Sequence, residues 1–359
     1  MKFPPRFLFI DINKRCNFKC QHCLYWKNDD SDKENYLSIQ RRNEIIDEFS
    51  AISQCNGTVV ICGGESMLDR DQYFAVAEHC STKNLNCFSV VNGSNVRHEA
   101  MADRMIKHGP TAITVSLNSH IEEVHDRTRG VKGSYQMAVN ALRFLLASRD
   151  RLASTKKIYA MAVICEQNYR MLEEFYDFVL NNIKADKLKL NFLQPTFGSN
   201  DPDFIDNFYA ENIIKNHGDL VAVLNKCNNK YRLNLNPAWI DAVRMYHRSV
   251  NRNDDALKGW RGAKGTEQHI CNSYDRNIMV NLYGHARLCF SPRFPAYKLA
   301  KPGDLKYFWK KSDVIRLRMK QCNAYCGISH SVRKENATLK QTRQQEEDNR
   351  NAGTIIVKL

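Results

Sequence analysis

No apolar run in this 359-residue chain approaches the roughly 18 to 20 residues that cross a bilayer; the longest, such as Ile158 to Cys165, fall far short. A membrane-spanning helix is therefore not expected. The first residues, Met-Lys-Phe-Pro-Pro-Arg, run straight into a strand-like segment, without an apolar core and small-residue cleavage site. Nothing there reads as a secretion signal, so the expected compartment is cytoplasmic and thiols are expected to stay reduced. Acidic residues are in short supply, with 39 Asp and Glu against 53 Lys and Arg, a net charge of +14. The excess is concentrated between Lys230 and Lys264 and between Lys298 and Lys320, fields that attract anionic partners. Also missing are internal repeats, an arginine-rich arm and interleaved aromatic RNA motifs. A nucleic-acid-binding module, in which the charge is the function and the cysteines are structural zinc sites, therefore ranks low.

Cysteine is abundant, at 13 residues. In a reducing compartment a chain of this length needs no disulfide staples, so metal binding or catalysis should account for many of them. The first 200 residues alternate short apolar segments with amphipathic ones, the pattern of a parallel sheet covered by helices. Strands are expected at Phe7 to Ile12, Thr58 to Cys62, Asn86 to Val91, Ala112 to Leu117, Lys157 to Ile164 and Lys187 to Leu193. Helices are expected near 38 to 53, 70 to 83, 96 to 107, 134 to 148 (N-capped by Ser134) and 171 to 182. Six such repeats make either an open doubly wound α/β sheet or a partial barrel, and both gather ligands at the C-terminal strand ends. Residues 1–200 are read as this domain. Residues 201–265 form a basic bridge with a helix from Ala210 to Lys226. Residues 266–335 form a small α+β domain with a hairpin turning at Tyr283-Gly284, and residues 336–359 a polar tail.

Directly beyond the first strand stands CNFKCQHC, with Cys16, Cys20 and Cys23. A structural zinc or a fully protein-held 4Fe-4S cluster takes four ligands, so three thiolates leave a coordination position open. Cx3Cx2C in this place resembles the signature of the radical S-adenosylmethionine enzymes, in which three irons of a 4Fe-4S cluster bind the cysteines and the fourth chelates S-adenosylmethionine. The likeness continues along the chain. Cys62-Gly63-Gly64-Glu65 matches the family's GGE loop for the methionine amino group. Asn92-Gly93 is similar to its polar turn, and SLNSHIEEVHDRTRG to its stretch holding ribose or carboxylate. The resemblance implies a partial (βα)6 barrel and cofactor contacts from Gly63, Gly64, Glu65, Asn92, Ser116 and Arg129, with Arg127 as fallback. His22 stands where relatives have an aromatic residue against adenine, and Leu193, in Leu-Gln-Pro, where an adenine-side segment lies. It also implies reductive cleavage to a 5'-deoxyadenosyl radical that abstracts hydrogen from substrate. An external one-electron reductant such as flavodoxin or ferredoxin would be required.

Cys271, Cys289, Cys322 and Cys326 supply four further thiolates, enough for zinc or an iron-sulfur cluster. Beside such a core their spacing resembles the twitch form of the SPASM extension, which holds an auxiliary 4Fe-4S cluster. The closing CNAYC departs from the usual CxxC, leaving His330 or substrate as a possible ligand. Cys62 and Cys165, near strand ends, are candidate hydrogen donors to a substrate radical. The leading expectation is modification of a ribosomally made peptide by oxidative cross-link, thioether or epimerisation. Oxidation, dehydrogenation or epimerisation of a small molecule is the runner-up. Because the chain starts at the first barrel strand, no N-terminal peptide-recognition domain is expected, whereas the basic stretches would suit an acidic peptide.

Overall fold

The computed structural model describes residues 4–193, 208–250, 269–271, 273–290, 294–320 and 331–333. In chain order the first part runs β1 (Phe7–Asn13), α1 (Ile39–Ile52), β2 (Thr58–Gly63), α2 (Arg70–Thr82), β3 (Asn86–Val91), α3 (Glu99–His108), β4 (Ala112–Ser116), α4 (Glu122–Arg129), α5 (Ser134–Arg151), β5 (Lys157–Ile164), α6 (Leu172–Asp177) and β6 (Lys187–Phe192). There follow α7 (Ala210–Asn212), α8 (His217–Tyr231), α9 (Pro237–Val250), β7 (His269–Cys271), β8 (Asn277–Val280), β9 (His285–Arg287) and β10 (Tyr297–Lys298). Two short helices, α10 (Asp304–Lys311) and α11 (Asp313–Lys320), and β11 (Ser331–Arg333) close the series. No described helix is long and apolar enough to cross a membrane.

The six expected strands lie, within a residue or two, as β1 to β6 in one nine-stranded sheet ordered β10-β9-β8-β1-β2-β3-β4-β5-β6. It is an α/β sheet, parallel from β1 through β5, and it does not close on itself. Residue parity separates its two faces. Tyr73 of α2 bonds Ser89 of β3 at 2.8 Å, so Cys87, Ser89 and Val91 face the helices. Register carries this across to Leu8, Ile10, Val59, Ile61, Ile113 and Val115, none more than 1% exposed. These pack in the layer with Phe49, Tyr73, Leu142 and Leu145, also fully buried, and each such side chain contributes about 1.5–3 kcal/mol. Phe88, Val90, Thr114 and Ser116 share the opposite face, with Phe9 and Asp11 of β1 and Val60 and Cys62 of β2.

Several local expectations are corrected. Ser134 does not cap α5: the cap is Gly133 at φ 80°. Ser134 is instead the first helical residue, and its hydroxyl donates to Asp126 Oδ1 at 2.8 Å. Asp126 also accepts from Gly133 N (2.5 Å) and Tyr135 N (2.7 Å), so a carboxylate from the preceding helix satisfies the orphan amides. The helix expected from Ala210 to Lys226 is broken; α7 stops at Asn212, and Asn216 caps a new helix by accepting from Asp219 N at 3.0 Å. The hairpin turn spans Asn281 to Gly284, with Asn281 Oδ1 accepting from Tyr283 N and His285 N, and only Gly284 has positive φ (77°). Helices α4, α9 and α10 went unexpected. Strand β8 runs parallel to β1, Phe7 opposite Asn277, so this hairpin extends the main sheet.

The chain divides into two compact units, the first comprising Met1–Ala162, Asp177–Leu190 and Tyr274–Arg316, the second Val163–Tyr176, Asn191–Ser273 and Leu317–Leu359. Within the second, α8 and α9 pack together, β7 pairs antiparallel with β11, and Tyr176 stacks on Tyr231 at 5.6 Å. The polar tail 336–359 and much of the bridge lie outside the described residues.

Candidate functional site

Three loops at the C-terminal ends of β1, β2 and β4 meet in the first unit. The cysteine loop is tied down on both sides. Gly64 N donates to Asn13 O (3.1 Å) and Glu65 N to Arg15 O (2.8 Å), clamping the CGGE loop to the start of the cysteine loop. The approach is close enough to need glycine: a Cβ on Gly64 would lie 2.0 Å from Arg15 O. On the far side Gln21 N donates to Thr128 O of α4 at 3.1 Å. Gly130, which ends α4 at φ 66°, lies so near that a Cβ would meet Lys19 O at 2.0 Å. Ahead of Cys16, Lys14 pairs with Asp32 at 2.6 Å, Arg15 pairs with Asp30, and Tyr283 donates to Asp32.

Cys16 and Cys23 are half-buried and Cys20 is buried; all three are free thiols. Burial pushes the Cys16 thiol up to about 12 and the Cys23 thiol to about 11, with the Arg129 charge pulling both the other way. Among the described residues no three His, Cys, Asp or Glu side chains converge as one bound ion would require. A cubane cluster takes each thiolate on a different iron, so its cysteines must ring a volume rather than meet at a point. Three soft donors on one clamped loop are the donor set such a cluster uses.

Glu65 is 2% exposed and spans two strand ends: Oε1 accepts from Met67 N (3.1 Å) and Oε2 from Asn92 N (2.6 Å). Burial raises its pKa to about 7 despite these bonds. Asn13 Nδ2 donates to Glu65 O at 2.8 Å while Asn13 Oδ1 is buried without a partner. Asn92 Nδ2 donates to Asn17 Oδ1 (2.9 Å), and Asn17 Nδ2 to Ser94 Oγ (2.9 Å), linking the third strand end to the cysteine loop.

Arg129 is 8% exposed, with its guanidinium over the Phe18 ring at 5.6 Å and its Nε buried without a partner. Its charge is felt at Cys16, Cys23, Glu65, His22 and His125. His22 and His125 are both pushed down to about 3, by burial first and the Arg129 charge second, so both rings are neutral. His125 Nδ1 accepts from Asn118 N at 3.1 Å, and Asn118 Nδ2 donates to Thr128 Oγ1 at 3.0 Å. Ser116 ends β4 half-buried, on the same sheet face as Cys62.

The structure thus gathers Cys16, Cys20, Cys23, His22, Gly63, Gly64, Glu65, Asn92, Ser116 and Arg129 at one end of one unit. Leu193 and Cys165 fall in the second unit. Leu193 is buried, its N–H donating to Ile164 O (3.0 Å) and its carbonyl accepting from the Tyr246 hydroxyl (2.8 Å). Cys165 is 5% exposed, its amide donating to Asn168 Oδ1 (2.9 Å) in a turn. Cys62 stands in register with Asp11; burial and then the Asp11 charge hold its thiol well above the usual range, in the S–H form. Cys271 ends β7 in the second unit, and half-buried Cys289 follows β9 in the first. Cys322, Cys326, His330, Gln194 and Pro195 lie outside the described residues. Sequence reasoning missed Asn13, Asn17, His125 and Gly130; the glycine closing HDRTRG was the one visible signal, since a helix commonly ends on a left-handed residue.

Residues 10–179 match the family model described as Radical SAM superfamily, and they form a radical SAM domain. That family implies a 4Fe-4S cluster and S-adenosylmethionine. An Fe-coproporphyrin III synthase of Methanosarcina barkeri is 30% identical over 132 residues, 37% of this chain and 32% of that protein. An AdoMet-dependent heme synthase of Oleidesulfovibrio alaskensis is 25% identical over 170 residues, 44% and 42% respectively. The chain thus spans less than half the length of these curated relatives. Among solved structures, Streptococcus suis SuiB bound to precursor peptide SuiA superposes with a TM-score of 0.58 at 16% identity, covering 87% of this chain and 66% of that one. Native anSMEcpe with bound AdoMet and Cp18Cys peptide gives 0.54 at 14%, covering 97% and 98%. At these identities the likeness is one of fold.

Proposed function

We propose that this chain, carrying the domain of a Radical SAM superfamily enzyme, reductively cleaves S-adenosylmethionine and uses the resulting radical to abstract hydrogen from a peptide substrate. The observation that carries this reading is the meeting of three loops on one unit: the clamped cysteine loop, the CGGE loop tied to it, and Arg129 with an unpartnered buried Nε. A 4Fe-4S cluster held by Cys16, Cys20 and Cys23 supplies, when bound, the electron that splits the sulfonium. The protein's own part is positional. The main chain of Gly63 and Gly64, free of side chains, receives the methionine amino group, and Glu65 holds that loop and the third strand end in one frame through Met67 N and Asn92 N. Arg129 pairs with the methionine carboxylate, a planar fork matched to two oxygens. His22, neutral and buried, offers adenine a flat face without adding charge. Cys62, held as a thiol on the face that receives substrate, is the better placed hydrogen donor, because only S–H transfers a hydrogen atom. Cys165 is held in the second unit and is a core residue in this reading.

Peptide as substrate is supported by the two peptide-bound fold neighbours, one of which matches this chain over nearly its full length. The sequence relatives favour a second reading, oxidation of a tetrapyrrole or other small molecule, since one is named an Fe-coproporphyrin III synthase and the other a heme synthase. The auxiliary cluster on Cys271, Cys289, Cys322 and Cys326 remains part of the proposal, with an external one-electron donor as its partner. The test is anaerobic reconstitution, dithionite reduction with S-adenosylmethionine, and chromatography for 5'-deoxyadenosine. Formation that disappears on replacing any of Cys16, Cys20 or Cys23 by Ala supports the reading; formation that survives refutes it.

A further inference from the structure

Strand β6 reads Lys-Leu-Lys-Leu-Asn-Phe, and its second lysine is placed where lysine is costly. Lys189 Nζ lies 4.1 Å from the centroid of the Tyr159 ring and 5.4 Å from that of Phe88. Both belong to the sheet face turned away from the helices, because Phe88 alternates with helix-facing Cys87 and Ser89, and Tyr159 pairs in register with Thr114. The amine is closed off from solvent and none of its three N–H groups has a hydrogen-bond partner. It does not snorkel to water, as lysines with an apolar stem do. Aromatic faces offer a cation some attraction but no acceptor, and no carboxylate is among the groups whose charge reaches it. The neighbour that does, Lys187, is a second cation on the same face, and burial and then Lys187 bring the Lys189 pKa down to about 7. A buried charge with no partner is one of the more destabilising arrangements in a protein, and leucine occupies the alternate positions of this strand without difficulty.

We infer that Lys189 is the anchor for a carboxylate of the substrate, which enters along this face and brings the missing counter-charge. The inference rests on reading this face as the substrate side of the proposed radical enzyme and names the substrate's chemical class. Tyr159 is two register pairs below Met161, which stands opposite Ser116 at the strand end. The anchor therefore lies about 7 Å deeper than the cofactor contacts. A carboxylate bound there leaves a carbon several bonds away at the mouth. The same chemistry can come from an acidic peptide side chain or from a tetrapyrrole propionate, so the test carries both.

The reconstituted protein with S-adenosylmethionine is titrated with Glu-containing peptides against their Gln counterparts, and with coproporphyrin III against its tetramethyl ester. The wild type is expected to bind the carboxylate form of one pair at least about tenfold more tightly, the size of one hydrogen bond to a charged group. The pair that discriminates identifies the source. Lys189→Met should abolish the discrimination, Lys189→Arg should retain part of it, and both should keep iron content and basal 5'-deoxyadenosine formation. Lys189→Met should also melt at a higher temperature than wild type without ligand, because it removes an uncompensated charge. Discrimination that persists in Lys189→Met, its absence from wild type in both pairs, or a lower melting temperature for Lys189→Met overturns the inference. Loss of 5'-deoxyadenosine from wild type itself refutes the radical reading instead, and the binding comparison can be scored without it.

Discussion

Arg129 and Gly130 are neighbours in sequence with separate duties. Arg129 has a buried Nε without a partner beside a loop of thiols. Removing its fork should weaken S-adenosylmethionine binding by about ten- to a hundredfold, the range for a hydrogen bond to a charged group. Calorimetric titration of reconstituted Arg129→Ala checks this; unchanged affinity with unchanged iron content would remove Arg129 from the site. Gly130 combines φ 66° with an approach so close that a Cβ would lie 2.0 Å from Lys19 O. Gly130→Ala must therefore displace the cysteine loop, and the expected result is lower iron incorporation on reconstitution with the sheet still folded by circular dichroism. Neither property is legible in the letters alone. The family resemblance singles out Arg129, at the end of α4, but that its Nε is buried without a partner depends on packing, and a glycine reads as a turn until the backbone it touches is known.

Helix ends and one buried ring set the expectations for elements. Asp126 lies near the end of α4 yet serves the first turn of α5, taking Gly133 N, Ser134 Oγ and Tyr135 N. Burial by itself would raise its pKa; the three donors more than offset that and hold it below the ordinary value. Asp126→Ala should lower stability by about 1–2 kcal/mol, the cost of a lost cap, read as a shift in urea midpoint at constant slope. In α9, His247 is fully buried, its Nδ1 2.9 Å from Val243 O and its ring edge-on to Phe192. Burial holds its pKa at about 4 against 6.5 in a free chain. The folded state binds fewer protons than the unfolded state between those values, so stability is full above pH 6.5 and falls as pH drops toward 4. The expected loss is about 3 kcal/mol. His247→Phe should flatten that fall in urea titrations at pH 7 and pH 4.5; an unchanged slope with pH would assign the acid sensitivity elsewhere. The strands of the first half were predictable because short apolar runs bounded by turn residues and separated by amphipathic segments have few other uses. The break after α7 was not, because Asn212 to Asn216 has no proline or glycine to mark it.

For the whole molecule, the count of metal separates the open alternatives. Iron near eight per chain fits two cubane clusters, near four fits one, and four with zinc fits a structural site at the second cysteine group. In the two-cluster case Cys289→Ala should spare uncoupled cleavage of S-adenosylmethionine while stopping substrate turnover, measured as 5'-deoxyadenosine without product. Turnover at the wild-type rate would make that group structural. The hairpin carrying β8 and β9 belongs to the same compact unit as the cysteine loop, joined by β8 lying parallel along β1. No sequence pattern announces such a pairing, because a strand four residues long carries no information on which edge it will meet.

The order of elements, the strands of the sheet and the motifs proposed to bind the cofactor were determined by the sequence itself, because local periodicity and the spacing of thiols and glycines are properties of the chain. Which face each strand turns inward follows from register, and register is a property of pairs. Only the tertiary structure could bring Asn13 and Asn17, at and beyond the end of β1, together with Asn92 beyond β3, or set Gly130 against Lys19. Only it could leave the amine of Lys189 among aromatic rings without an acceptor. Those arrangements depend on groups far apart in the chain, and burial decides their charge and chemistry after folding has chosen the neighbours.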